Sequence, residues 1–165
     1  MKEVSTDHID WNVWTVITLI ICIAIPVCVG AISSYLTKDA MISFGSMNKP
    51  PLAPPAWLFP VAWTILYILM GIASFLIFNS NSENRFIGIV LYISQLILNF
   101  AWSLIFFRFD AYAFAAVWLV ALLVLVVALI INTAKYSMAA MFMLIPYAAW
   151  CCFALYLNIG IAMRN

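Results

Sequence analysis

Five stretches without a single Asp, Glu, Lys, Arg or His take up almost the whole chain: Trp11 to Thr37, Pro50 to Ser82, Phe86 to Phe107, Ala111 to Ala134 and Tyr136 to Met163. Each holds the roughly 20 apolar residues that a membrane-spanning helix needs. In hydrocarbon a backbone must satisfy its own N–H and C=O groups, so windows of this length are helices rather than irregular chain. The fold class predicted is therefore all-α, an integral membrane bundle of five transmembrane helices over approximately 14–35, 55–78, 86–107, 112–131 and 138–163. With 68% hydrophobic and 8% charged residues, too little polar surface is left for a soluble module. The 165 residues read as a single domain, 1–165.

The tail before the first window carries Lys2 against Glu3, Asp7 and Asp10. That is the wrong charge for a secretory leader, so the first helix is read as retained. Cys22, Cys28, Cys151 and Cys152 all fall in apolar windows, where free cysteine behaves as a small hydrophobe and no disulfide framework is implied. A net charge of +1 points to no nucleic-acid partner, and the lipid bilayer is the expected surroundings. Lys2, Arg85 and Lys135 lie on one side of the predicted bundle and Lys38, Lys49, Arg108 and Arg164 on the other, a balance that sets no orientation.

The chemistry lies in the helix faces. In the first helix Trp11 and Trp14 suit an interfacial aromatic belt. Pro26, Gly30 and Ser34, four residues apart, form a small-residue line that predicts close packing, within one subunit or between two. The loop from Leu36 to Pro54 ends in Pro50, Pro51, Pro54 and Pro55, whose fixed φ angles and missing N–H groups favour an extended, shaped lid over a slack linker. The second helix places Pro60, Trp63, Thr64, Tyr67, Gly71 and Ser74 on one face. Leu58, Ile65, Leu69, Ile72 and Leu76 are left to meet lipid.

In the third helix Gln95, Asn99, Trp102, Ser103 and Phe106 form a stripe, and its two amides must point into the bundle or a cavity because unpaired amides are costly in hydrocarbon. The fourth is Ala, Val, Leu and Ile apart from Trp118, a packing or lipid-facing helix. The fifth aligns Pro146, Trp150, Ala154 and Asn158, with Tyr147 and Phe153 beside them. Helices two, three and five thus each bring a tryptophan and a polar group to what three such faces would enclose as one pocket.

No Asp, Glu, Lys, Arg or His sits inside a window, which counts against proton pumps, voltage sensors and ion-coupled carriers. Ser33, Ser34, Ser74, Ser94 and Ser103 lack a His or carboxylate partner in the membrane, so no catalytic residue is assigned. His8 lies in the tail, and Met70, Met143, Cys151 and Cys152 read as packing; no metal ligand is assigned. A pocket of Trp, Tyr, Phe and Asn suits a flat, largely apolar ligand stacked on aromatic faces, with plain helix packing as the alternative.

The run KPPLAPPAWLFPVAWTILYILMG from Lys49 to Gly71, with QLILNFAWSLIFF from Gln95 to Phe107 and LIPYAAWCCFALYLN from Leu144 to Asn158, resembles the tryptophan-rich sensory protein family, also called translocator proteins or peripheral benzodiazepine receptors (TspO/MBR). The resemblance spans essentially the whole chain. It implies a five-helix bundle, commonly a homodimer, that binds porphyrins and other haem-like tetrapyrroles, benzodiazepine-type drugs and, in animal members, cholesterol, in a pocket under the loop between the first two helices. A bacterial-type member would lie in the cytoplasmic membrane. The tetrapyrrole is expected as a ligand, and no cofactor is required.

Carried onto matching positions, the ligand-contacting residues implied are Trp63 and Trp150, with Asn99 and Ala154 lining the same cavity. Tyr67, Trp102 and Tyr147 join them from the helix faces. The sequence departs from the family in the lid, where Ser43 and Phe44 replace a Trp-Tyr pair and Leu52 replaces a Trp. It also has Ile159 at the tyrosine of the animal cholesterol motif, so specific cholesterol recognition is not expected. The expectation is a receptor or sensor rather than an enzyme. The alternatives are light- or oxygen-dependent degradation of protoporphyrin, with Trp63 or Trp150 as redox partner, and a carrier of porphyrin or lipid.

Overall fold

The computed structural model describes residues 11–38 and 47–165. Among these described residues there are five helices: α1 (Val13–Leu36), α2 (Leu58–Phe78), α3 (Arg85–Phe107), α4 (Tyr112–Thr133) and α5 (Met138–Ala162). All five are long and apolar enough to cross a membrane, as the charge-free windows predict. The chain is an integral multi-pass membrane protein with an all-α fold.

Local chemistry sets the helix ends. Asn12 caps α1, its side chain accepting the Thr15 N–H at 3.0 Å, and Ser137 caps α5 by accepting from the Ala140 N–H at 3.3 Å; each satisfies a donor that a helix start leaves free. α2 begins at Leu58 rather than at Pro55. The chain turns once first, with the Leu58 N–H donating to the Pro55 carbonyl at 3.0 Å and that of Phe59 to Ala56 at 3.3 Å. The adjoining prolines bring no N–H of their own to an earlier turn. α4 runs on past Ile131 to Thr133 because the Thr133 hydroxyl donates back to the Leu129 carbonyl at 2.9 Å, which lets a polar residue end the helix in a buried position.

The helices close into a ring in the order α1, α2, α5, α4, α3, with extensive packing at every junction except where α3 meets α1 and α2. The core of the ring is filled by Leu66, Met70 and Ala73 of α2, Leu119, Leu122 and Val126 of α4, and Leu144 and Cys151 of α5. Of the α2 residues expected to meet lipid, Ile65 is exposed, whereas Leu58, Leu69, Ile72 and Leu76 are half-buried. The most exposed positions of α2 include Val61 and Ile68 instead. Lipid tails and a helix interior are equally apolar, so hydropathy alone does not separate the two faces.

Candidate functional site

The sparsely packed junction of α3 with α1 and α2 holds a cavity of about 290 Å³. α2 supplies Phe59, Pro60, Trp63, Thr64 and Tyr67; α3 supplies Trp102, Ser103 and Phe107; α5 supplies Trp150 and Ala154. Helical spacing brings each set to one face, since residues three and four apart stack along a helix.

Trp63 is the hub of the aromatic wall. Its ring stacks on Tyr67 with centroids 5.4 Å apart, is tilted against Trp102 at 6.3 Å, and meets Tyr147 at 6.3 Å and Trp150 at 6.5 Å edge to face. Phe59 closes on Trp150 edge to face at 6.1 Å. Offset and edge-to-face pairs at these separations match the ring quadrupoles, so indoles from three helices are held at fixed angles around the cavity.

Behind the rings lies a hydrogen-bonded brace. The Tyr67 hydroxyl donates to Asn99 Oδ1 at 2.8 Å, and Asn99 Nδ2 donates to the Tyr147 hydroxyl at 3.1 Å. One amide thus joins α2, α3 and α5, with Asn99 and Tyr147 fully buried. A second brace links α3, α5 and α4: the Trp102 indole N–H donates to Asn158 Oδ1 at 3.2 Å, and Asn158 Nδ2 donates to the Tyr112 carbonyl at 2.7 Å. These bonds satisfy polar groups that would be expensive alone in a membrane interior.

Of the seven predicted ligand-site residues, Trp63, Tyr67, Trp102, Trp150 and Ala154 line the cavity. Asn99 and Tyr147 stand one layer behind and fix the wall. Among the described residues, none of the lid prolines Pro50, Pro51, Pro54 and Pro55 contributes to the lining. Pro50 is instead buried against α5, where a Cβ on Gly160 would lie 2.6 Å from its ring. The Tyr156 hydroxyl donates to the Pro51 carbonyl. Asn165 holds Asn48 from both sides, accepting its N–H at 3.2 Å and donating to its carbonyl at 3.1 Å. Ser43, Phe44 and His8 lie outside the described residues.

α1 contributes more than its sequence suggested. Val27, Gly30, Ala31, Ser33, Ser34 and Thr37 line the cavity. The small-residue line is therefore a packing face within one chain, and Gly30 is where a Cβ would run into the Tyr67 ring. The signal was present: the line ends in Ser34, with Ser33 beside it and Thr37 a turn further on, and small hydroxyl residues leave space where larger ones would fill it. Ser103 stood on the predicted α3 stripe, whereas Phe59 and Phe107 were missed, each one position from a residue placed on a helix face, Pro60 and Phe106.

The cavity lining carries no charged side chain among the described residues, and none of its groups is an acid–base pair. Three of its hydroxyls are committed to their own helices: Thr37 donates to Ser33 at 2.9 Å, Thr64 to Pro60 at 2.8 Å and Ser103 to Asn99 at 3.4 Å. Their oxygens remain as acceptors. What the arrangement can do is hold a neutral, flat, aromatic body by stacking and orient it with a few hydrogen bonds.

The fold and site together define a class: a five-span helical membrane protein with an internal aromatic cavity at the end where α1 leads into α2. The model of the TspO/MBR family matches residues 13–164, and the chain belongs to that family. It is 36% identical over 153 residues to a tryptophan-rich protein TspO of Chlorobaculum tepidum, covering 91% of this chain and 97% of the relative. A tryptophan-rich protein TspO of Archaeoglobus fulgidus is 31% identical over 91% of this chain and 98% of its own. The translocator protein of Ovis aries is 33% identical over 76% of each chain.

Proposed function

We propose that the protein is a membrane receptor or sensor that binds tetrapyrroles of the porphyrin and haem type, and benzodiazepine-type ligands, in the cavity around Trp63. The observation that carries this reading is the convergence of Trp63, Trp102 and Trp150, from three different helices, on one uncharged cavity. At about 290 Å³ it lies at the lower end of the range of ligand pockets, roughly 300–1,000 Å³. A benzodiazepine-sized body fits within such a space. A macrocycle is accommodated by leaving part of its edge outside.

Support from relatives is of a coarser kind: a Cereibacter sphaeroides relative, 29% identical over 157 residues, carries the name tryptophan-rich sensory protein. The absence of acid–base groups from the lining among the described residues favours binding over enzymatic turnover. The homodimer implied by the family resemblance belongs to the same reading, and mass photometry of the protein in nanodiscs tests it.

Replacing Trp63 and Trp150 together by Phe keeps apolar rings in place but removes both indoles. Protoporphyrin affinity, followed by fluorescence quenching in nanodiscs, is expected to fall more than about tenfold, equivalent to 1.4 kcal/mol or more. Unchanged affinity sinks the placement of the ligand. The absorption spectrum of the same complex under illumination separates the readings: a stable porphyrin band fits a receptor, while conversion to a new product that depends on the two tryptophans fits degradation.

A further inference from the structure

α1 is held to the bundle chiefly through α2. Trp11, just before the helix, stacks on Phe75 of α2 at 6.2 Å. A Cβ on Gly71 of α2 would lie 2.5 Å from the Ile23 backbone, and one on Gly30 of α1 would run into the Tyr67 ring. Helices this close leave no passage between α1 and α2. On the far side of the cavity, Asn99 and Asn158 tie α3 to α5 through Tyr147 and Trp102, and Phe59, Trp63 and Trp150 close the angle between α2 and α5 with their rings.

The junction of α1 with α3 is built differently. Its α1 edge is Val27, Ala31 and Ser34, spaced by four and three so that they stack along one stripe, and all three line the cavity. Ala31 and Ser34 are exposed as well, so the cavity wall and the outer surface of the protein meet at two small side chains. The α3 edge offers Ser103 and Phe107, both in the lining and half-buried. At 1.5 Å per residue, Ala31 lies roughly 7 Å and Val27 roughly 14 Å below the end of α1 at Leu36. In a bilayer core about 30 Å thick that is the depth of acyl chains, and Ile25 and Ile32 of the same stretch are 50% and 53% exposed.

We propose that the aromatic cavity opens sideways through this α1–α3 seam into the hydrocarbon of the bilayer, and that a lipid acyl chain occupies it when no other ligand does. A methylene chain matches the lining. The lining carries no charged side chain among the described residues, and the hydroxyl protons of Thr37, Thr64 and Ser103 are turned to their own helices. Apolar walls that face a void forfeit dispersion contacts, and a chain reaching in from the membrane restores them without leaving the hydrocarbon. The opening does not depend on what else the cavity binds. That a tetrapyrrole arrives through it from the lipid, and leaves its outer edge in it, rests on the receptor reading above.

Photolabelling of the unaltered protein tests the opening. Proteoliposomes are made with a phosphatidylcholine that carries a diazirine midway along one acyl chain, irradiated, and the adducts are mapped by mass spectrometry. Adducts are expected on the inward residues Trp63 and Ser103 as well as on the outward Ile32 and Val61, which are 53% and 47% exposed. Adducts confined to the outward residues overturn the proposal. Ala31→Phe places a ring in the seam and is expected to abolish the inward adducts while the outward ones persist; inward adducts that survive this change overturn the seam as the route.

A protoporphyrin arm separates this inference from the receptor reading. Loss of the inward adducts on adding protoporphyrin supports both. Inward adducts that protoporphyrin leaves unchanged support the lipid-filled opening and remove the tetrapyrrole from the cavity.

Discussion

The aromatic wall lines the cavity and the described part of the proline lid does not, and the two are held by different means. The wall is cross-braced: a single amide, Asn99, ties α2 to α5 through two phenols, and Trp63 touches four other rings. The lid is attached by its edge. Pro50 packs on Gly160, Tyr156 bonds the Pro51 carbonyl, and Asn165 clasps Asn48, all at the C-terminal end of α5. Between these attachments and α2, Leu52 stands 84% exposed and Trp57 65% exposed. The difference teaches that rigidity here comes from where polar side chains meet across helices, not from the stiffness of proline. Four prolines shape the path of the lid, while α5 decides where it rests.

The largest effect is expected from cutting the brace. Asn99→Leu keeps the branched shape of the side chain but leaves the Tyr67 and Tyr147 hydroxyls without their shared partner. Interhelical hydrogen bonds in membranes contribute about 0.6 to 1.7 kcal/mol each, so two lost bonds cost about 1–3 kcal/mol. For a chain of this length that lowers the melting temperature by roughly 3–10 °C. Ligand affinity should fall with it, because Tyr67 holds the Trp63 ring from beneath. A melting temperature within a degree or so of the wild type would mean that ring packing alone fixes the wall.

The lid is tested from the α5 side. In Gly160→Ala the new Cβ meets Pro50 at 2.6 Å, closer than real contacts allow, and the Pro50 ring is part of a constrained segment that cannot simply rotate away. The lid is expected to lift from α5 while the brace stays whole. Ligand dissociation, followed by stopped-flow fluorescence, should accelerate about fivefold, equivalent to 1 kcal/mol, with little change in melting temperature. If instead the variant melts as low as Asn99→Leu and releases ligand at the normal rate, the lid is a structural prop and the comparison fails.

The contrast also explains what the sequence disclosed. The five spans were legible because exclusion of charge over some 20 residues has one structural solution in lipid. Trp63, Tyr67, Trp102 and Trp150 were legible because tryptophans and polar groups at helical spacing stand out against Leu, Ile and Val. Asn99 was marked by the cost of a buried amide, although its place behind the rings rather than in the lining follows from Tyr67 and Tyr147, 32 and 48 residues away. Core residues such as Leu66 and Met70 could not be told from the lipid-facing Ile65, since both environments select the same side chains. The attachment of the lid was hidden as well: nothing near Pro50 announces Gly160, and nothing near Asn48 announces Asn165.

The smallest effect concerns the lid backbone. Leu52 adopts φ 69°, in the left-handed region, where an L-residue with a side chain pays about 1–2 kcal/mol of steric cost and glycine pays almost none. Its side chain is 84% exposed, so little packing offsets that cost. Leu52→Gly therefore relieves strain, while the greater freedom of glycine in the disordered chain takes back about 0.4–1 kcal/mol. The balance is a gain of roughly 0.5 kcal/mol, a rise in melting temperature of about 1–2 °C. Dissociation of ligand should stay the same or slow slightly, because the turn that lets Pro50 and Pro51 reach α5 is kept and eased. A fall in melting temperature, or faster release, would show that the leucine side chain itself holds the lid, and would place a fourth attachment on the side away from α5.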